Sequence, residues 1–309
     1  MCFKSMQILI TGGAGFIGSN IADYLIEQGK EVIIVDNLSS GKKENINKKA
    51  KFYQLDIRDQ NLEKVFQENK ISHVIHHAAQ IDVQQSIADP IFDAENNILG
   101  TINLLENCRE YGAEKIIYAS SAAVYGEPEH LPIAEEHPVK AMSPYGITKH
   151  TVEHYLKMYA ELYDLKYTIL RYANAYGPRQ DPKGEGGVVS IFLDKLLAEE
   201  DPVIFGDGKQ SRDFIHVYDL VKANYLALDK ADNQLLNIST AVQNSINQLV
   251  EDLNELSSYQ LEVSHKEAKY GDIRHSALDN TKAKEILGWE PQFDLKSGLK
   301  QTYDYYTKE

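Results

Sequence analysis

The chain has 309 residues, with 32 Lys and Arg against 46 Asp and Glu, a formal charge of −14 and a pI near 5.2. That balance argues against nucleic acid or an anionic membrane as partner, although helix N-termini and a few arginines can still hold an anionic small molecule. Two cysteines, Cys2 and Cys108, cannot build a disulfide framework and fit a reducing cytoplasm; no apolar run spans a bilayer, and the length suits two lobes.

Met1–Met6 is too short for a signal peptide and reads as a frayed extension, with Met6 an alternative start. Gln7-Ile-Leu-Ile-Thr11 is a strand-type apolar run, followed at once by Gly12-Gly-Ala-Gly15-Phe16-Ile17-Gly18 and then a helical pattern at Ile21, Leu25 and Ile26. Glycines at 12, 15 and 18 allow a tight turn and let backbone approach a pyrophosphate resting on a helix N-terminus. A lone glycine motif is weak evidence. Here it lies between strand and helix, and a second strand, Glu31–Val35, ends in Asp36. A carboxylate there accepts the adenosine ribose hydroxyls and repels a 2′-phosphate, which favours NAD over NADP.

Further strands end at Leu55, His76, Ala119 and Arg171, alternating with helical patterns. The alternation predicts an α/β fold with a doubly wound parallel sheet, its ligands gathered after the strand C-termini. His76 and His77 are adjacent on a strand and so point to opposite faces; with no further ligands at metal spacing, no metal site is expected. Ser120-Ser121-Ala122-Ala123-Val-Tyr-Gly126 follows the fifth strand. In Ser143-Pro144-Tyr145-Gly-Ile-Thr-Lys149, Ser143 suits an N-cap and Pro144 the first helical position. Tyr145 then sits in the first turn with Lys149 one turn on, on the same face. The helix dipole and the lysine both favour a phenolate, so Tyr145 beside a serine hydroxyl is a candidate general base for an alcohol proton.

Beyond Asn174 the pattern changes. Pro178–Gly187 holds three glycines and two prolines, a long loop of the kind that carries function. Helices are expected from Val188, near Tyr218–Asp229, near Ile246–Leu256 and at Leu295–Thr307. Repeats and low-complexity tracts are absent from the sequence.

Taken together, these residues resemble the extended short-chain dehydrogenase/reductase family, in its branch of NAD-dependent nucleotide-sugar epimerases and dehydratases. The likeness includes Asp56-Ile57, His76-His-Ala78-Ala79-Gln80, Asn96-Asn97, Leu170-Arg-Tyr172-Ala-Asn174, Tyr176-Gly-Pro-Arg179, Gly206-Asp-Gly208, Ser211-Arg212-Asp-Phe214 and Gly271-Asp272. It runs over essentially the whole chain and is strongest to enzymes that epimerise UDP-hexoses at C4.

The resemblance implies an NAD-binding Rossmann domain over residues 1–172, with a returning segment near 215–240, and a UDP-sugar lobe over 173–309. It implies cofactor contacts from Gly12, Gly15, Phe16, Ile17, Gly18, Asp36, Asn37, Ser40, Gly41, Asp56, Ile57, Ala78, Ala79, Gln80, Asn97, Tyr145, Lys149 and Tyr172. Catalysis would fall to Ser121, Tyr145 and Lys149. The sugar nucleotide would meet Ser121, Tyr145, Asn174, Val189, Val203, Phe205, Arg212, Asp272, Arg274 and Ser276. Arg212 would hold the diphosphate; Lys269 stands where many relatives carry a second arginine, and Arg274 is the candidate substitute. Ser276 stands where some relatives place a tyrosine beside C2, an opening that would admit N-acetylated sugars. Dehydratases and decarboxylases of this branch carry acids where Ala122 and Ala123 stand, so elimination is disfavoured. A homodimer through helices near Phe92–Cys108 and Tyr145–Tyr163 is implied as well.

Overall fold

The computed structural model describes residues 7–183, 187–268 and 273–308. Six strands follow the expected alternation: β1 (Gln7–Thr11), β2 (Glu31–Asp36), β3 (Lys51–Gln54), β4 (Ile71–His76), β5 (Lys115–Ser121) and β6 (Lys166–Tyr172). Next come β7 (Asn174–Tyr176), β8 (Val203–Phe205), β9 (Ser211–Arg212), β10 (Phe214–His216) and β11 (Gln234–Ile238), then β12 (Asn244–Ser245) and β13 (Ser264–Lys266). The large sheet is parallel in the order β11-β6-β5-β4-β1-β2-β3. Its strands read as unbroken apolar runs because both faces are covered. In β1, Ile8 and Ile10 pack into one core and Leu9 into the other.

The covering helices are α1 (Phe16–Glu27), α2 (Leu62–Glu68), α3 (Val83–Ala88), α4 (Pro90–Ala94), α5 (Gly100–Tyr111) and α6 (Pro144–Tyr163). A widened π turn, Glu95–Leu99, joins α4 to α5. After the long loop come α7 (Val188–Leu197), α8 (Val217–Ala227), α9 (Ile246–Asn254), α10 (Thr281–Leu287) and α11 (Leu295–Thr307). Helix α8 packs on α1, and β11 extends the large sheet beside β6. A third core, with Tyr176, Phe192, Leu193, Phe214, Leu249 and Leu299, joins α7, α9 and α11 over the short strand pairs β7–β10, β8–β13 and β9–β12.

The chain leaves β1 toward β2 and β3, then returns to the other side of β1 as β4. Where that direction reverses, the loops after β1 and β4 part and open a crevice at the strand C-termini. Among the described residues, no helix is long and apolar enough to cross a membrane.

Candidate active site

Bare backbone forms the floor of the crevice. Gly12 adopts φ +71°, and a Cβ there would lie 2.7 Å from the Ala78 nitrogen. At Gly18 a Cβ would lie 2.2 Å from the Gly12 carbonyl oxygen, so only glycine lets α1 start this close to the turn. The resulting cleft, about 820 Å³ and open to solvent, is lined by Gly12, Gly15, Phe16, Ile17 and Gly18 from the first turn, and by Asp36, Asn37 and Ser40 after β2. Asp56, Ile57, His77, Ala78, Ala79 and Asn96 line it as well.

Asp36 is nearly buried; its carboxylate accepts from the Ala14 N–H at 3.0 Å and the Leu38 N–H at 2.8 Å. Gly41 packs on it, where a Cβ would come within 2.8 Å of Oδ1. Asp56 is gripped by the Arg58 guanidinium at 2.9 and 2.8 Å and by Asn37 Nδ2 at 2.8 Å. Hydrogen bonds from Arg58 hold the Asp56 carboxyl down at about 2. The glycine cradle and the acceptor at Asp36 fit a dinucleotide with its adenosine toward β2.

Asn97 is placed differently from its expected cofactor contact. Only 1% exposed, its Oδ1 accepts from the Gln80 N–H at 2.8 Å, and its Nδ2 faces the Gln80 carbonyl, Asp93 and Thr148. It clamps the loop after β4, while Asn96 lines the cleft. Gln80 itself donates to Asp93 Oδ1 at 3.0 Å, and Thr148 Oγ1 donates to the other oxygen of Asp93 at 2.8 Å. Burial raises the Asp93 pKa. The clamp spans three segments, so only their assembly reveals it.

Ser143 caps α6 as expected: its Oγ accepts from the Gly146 N–H at 3.2 Å, with Pro144 at the helix start. Tyr145 is half-buried in the first turn. Lys149 is 3% exposed; its Nζ donates to the Ala119 carbonyl at 2.8 Å and lies 5.8 Å from the Tyr145 ring centre and 5.0 Å from that of Tyr118. Burial brings the ammonium down to about 8, with Asp93 and Glu153 opposing the shift. Ser121 ends β5 opposite Tyr172 of β6, and its Oγ accepts from the Ala123 N–H at 3.2 Å. Lys149 thus stands beside Tyr145, and its bond to the Ala119 carbonyl ties α6 to the strand that ends at Ser121.

Beneath them lies a network the sequence did not disclose. Glu153, one turn past Lys149, meets Arg171 through two bonds of 2.9 and 2.6 Å, and Ser120 Oγ donates to Glu153 at 2.6 Å. Glu153 is fully buried and Arg171 3% exposed. The guanidinium also lies 4.6 Å from the Tyr125 ring centre. His76 is buried between the hydroxyls of Thr11 (2.7 Å) and Thr101 (2.8 Å), and no cluster suited to a metal occurs among the described residues.

On the other lobe, Asn174 opens β7 with an exposed side chain, and Arg212 on β9 donates to the Ser211 carbonyl at 2.9 Å. Ser276 is 8% exposed and its N–H bonds the Ser211 carbonyl at 3.2 Å, which sets it beside Arg212. Arg274 makes a two-pronged exposed ion pair with Asp207 at 2.9 and 2.8 Å. Val203 and Phe205 lie on β8, Phe205 being exposed, whereas Val189 is buried in the third core. Asp272 and Lys269 lie outside the described residues. Asp213 was not anticipated: its carboxylate accepts from Thr240 N–H (2.9 Å), Thr240 Oγ1 (2.7 Å), Ala241 N–H (3.0 Å) and Leu278 N–H (3.3 Å). It ties the Arg212 strand to the segment bearing Ser276, and burial raises it to about 6. A lone acid before an apolar strand, Asp213-Phe-Ile, was the available signal.

Residues 8–239 match the NAD dependent epimerase/dehydratase family. A protein of Methanocaldococcus jannaschii described as a putative UDP-glucose 4-epimerase is 49% identical over 300 residues, 97% of this chain and 98% of the relative. The crystal structure of the Thermotoga maritima UDP-glucose 4-epimerase with UDP-glucose is similar at TM-score 0.96 and 49% identity, covering 98% of this chain and 99% of that one. The Thermus thermophilus UDP-glucose 4-epimerase in complex with NAD is similar at TM-score 0.93 and 40% identity, covering 98% and 99%.

Proposed function

The chain belongs to the NAD dependent epimerase/dehydratase family, and from that premise we propose that it is a UDP-glucose 4-epimerase interconverting UDP-glucose and UDP-galactose. One observation supports the reading above the others: Lys149 Nζ lies 5.8 Å from the Tyr145 ring centre on α6, with Ser121 at the end of β5 and Ala122 and Ala123 where elimination needs acids. NAD would be held by Gly12–Gly18 under its pyrophosphate, by Asp36 at the adenosine ribose, and by Ala78, Ala79 and Tyr172 toward the nicotinamide; bound there, it would supply reversible two-electron oxidation at C4. Tyr145 takes the proton of the 4-hydroxyl, and the Lys149 ammonium favours the anion that Tyr145 must be in order to do so. Ser121 Oγ bonds the reacting oxygen. Arg212 anchors the diphosphate while the 4-keto sugar turns; the hydride taken from C4 would come back on its other face as Tyr145 returns the proton to the oxygen, so the net redox change would be zero. In this division of labour residues 1–172, with 215–240, serve the cofactor and 173–309 the UDP-sugar.

UDP-glucose and UDP-galactose supplied separately, without added reductant, are expected to reach the same mixture. Turnover that consumes NADPH would replace epimerase by reductase. Ser276 favours a second substrate: a small side chain stands beside the Arg212 strand where some relatives carry a tyrosine. UDP-N-acetylglucosamine is therefore expected to turn over as well, and Ser276→Tyr to suppress that activity while sparing UDP-glucose. No measurable conversion of the N-acetyl sugar by wild type would close this reading.

A homodimer is favoured by the outer face of α4 and α6, together with the π turn joining α4 to α5. Ile91 (71%), Leu162 (62%), Leu99 (58%) and Ile147 (55%) are exposed there, with Phe92 and Met158. On α6, residues 147, 158 and 162 share one stripe at helical spacing. A second copy presenting the same stripe would cover both. Sedimentation should show a dimer that Leu162→Glu dissociates; a wild type sedimenting as a 34.9 kDa species at micromolar concentration excludes it. The buried, free Cys108 suits a reducing cytoplasm.

A further inference from the structure

Four charged side chains are buried around the N-terminal half of α6: Asp93, Lys149, Glu153 and Arg171, none more than 3% exposed. Glu153 and Arg171 neutralise each other through two bonds of 2.9 and 2.6 Å. One cation and one anion are left. Lys149 has the Ala119 carbonyl as its single hydrogen-bond acceptor among the described residues, and Asp93 takes only neutral donors there. A lone buried charge is strongly disfavoured, so the two offset each other.

The bonds around Asp93 suit a carboxylate. Asn97 accepts the Gln80 N–H through Oδ1, which turns its Nδ2 toward Asp93 Oδ1 at 3.1 Å. Gln80 accepts the Asp82 N–H through Oε1 and offers Nε2 to the Asp82 carbonyl and to the same Asp93 oxygen, each at 3.0 Å. Backbone groups thus fix both amides, and both present hydrogens to Asp93. The Thr148 hydroxyl has two acceptors, Asp93 Oδ2 at 2.8 Å and the Tyr145 carbonyl at 3.0 Å. An ionised oxygen is the stronger of the two, and the carbonyl already serves the helix ladder of α6. Three donors on one carboxyl favour its anion.

Of the groups facing the Lys149 ammonium, Tyr118 on β5, His76 at the end of β4 and His77 after it are kept neutral by burial. Tyr145 and Glu153 face it from α6, and Asp93 from α4. Burial lowers Lys149 and raises Asp93, and each charge opposes the shift of the other. We propose that Asp93 is a positioning residue for the reaction: it supplies the negative charge that balances Lys149 beside Tyr145, and through Thr148 and Gln80 it holds α6 against the loop after β4. The inference rests on the epimerase reading of Tyr145 and Lys149. Asp93 acts through Lys149 and not on the sugar.

The test is kcat/KM for UDP-galactose from about pH 6 to 10 in wild type, Asp93→Asn and Asp93→Glu. Asparagine keeps the shape and loses the charge; glutamate keeps the charge and changes the reach. The alkaline limb, set in wild type by Lys149 at about 8, is expected about one unit lower in Asp93→Asn. Its activity relative to wild type should then fall about fivefold to tenfold at pH 8.5 and less than about twofold at pH 6.5. Asp93→Glu should keep the limb within about 0.3 units of wild type, whatever its rate. Coupling is reciprocal, so Lys149→Met should raise the Asp93 carboxyl pKa by a similar amount in 13C-aspartate spectra, the signal being the one absent from Asp93→Glu. Should Asp93→Asn not fold, that titration decides. A folded Asp93→Asn whose limb stays with wild type, an Asp93→Glu limb displaced as far, or an Asp93 carboxyl unmoved in Lys149→Met overturns the proposal. A wild type that epimerises no UDP-sugar fails the function reading instead, and the carboxyl titration still decides the pair.

Discussion

Tyr145→Phe is expected to lower the epimerisation rate constant by about two to four orders of magnitude, the range a positioned general base contributes. The change removes one oxygen and leaves the ring, its place in the first turn of α6 and the Ser143 cap as they are. NAD and UDP should still bind with affinities near wild type, because neither the glycine cradle nor Arg212 is altered. Steady-state rates with UDP-galactose, together with calorimetric NAD binding, separate the two effects. Near-wild-type turnover would remove Tyr145 from the reaction. The pH profile carries a related sign. The Lys149 ammonium titrates at about 8 in the structure against 10.5 ordinarily, so its help to the Tyr145 anion is present below about 8 and fades above it. For stability the sense is opposite: the unfolded chain binds this proton more tightly, so the cost of burying the cation is present at neutral pH and relieved between about 8 and 10.5.

Glu153→Ala is expected to destabilise the protein by about 3–5 kcal/mol, the cost of stranding one partner of a buried ion pair. Arg171 would lose both of its bonds to the carboxylate while remaining 3% exposed, and Ser120 would lose its acceptor. Replacing both partners, as in Glu153→Leu with Arg171→Met, should cost less than the single change, because no charge then stays buried alone. Urea unfolding of the three proteins at one fixed NAD concentration decides it. A single mutant within about 1 kcal/mol of wild type would mean that solvent reaches Arg171, contrary to its burial.

The strand, the glycine turn, the helix and the terminal acid were legible in order because each rests on local chemistry: strand periodicity, the positive φ at Gly12, and a cap at Ser143 that sets Tyr145 and Lys149 one turn apart. Those features need only neighbours within a few residues, and the sequence by itself determined them. Tertiary structure decided the rest. The π turn at Glu95–Leu99 adds a residue to one helical turn, which sends Asn97 inward as a clamp and leaves Asn96 in the cleft, a distinction no heptad or 3.6-residue count anticipates. Arg274 is drawn to Asp207, Glu153 to Arg171, and Asn224 to Tyr172 and onward to His77, across separations of 67, 18, 52 and 95 residues. A charge or an amide far along the chain has many acceptors open to it. Burial removes water as the alternative partner, and packing then selects the one within reach.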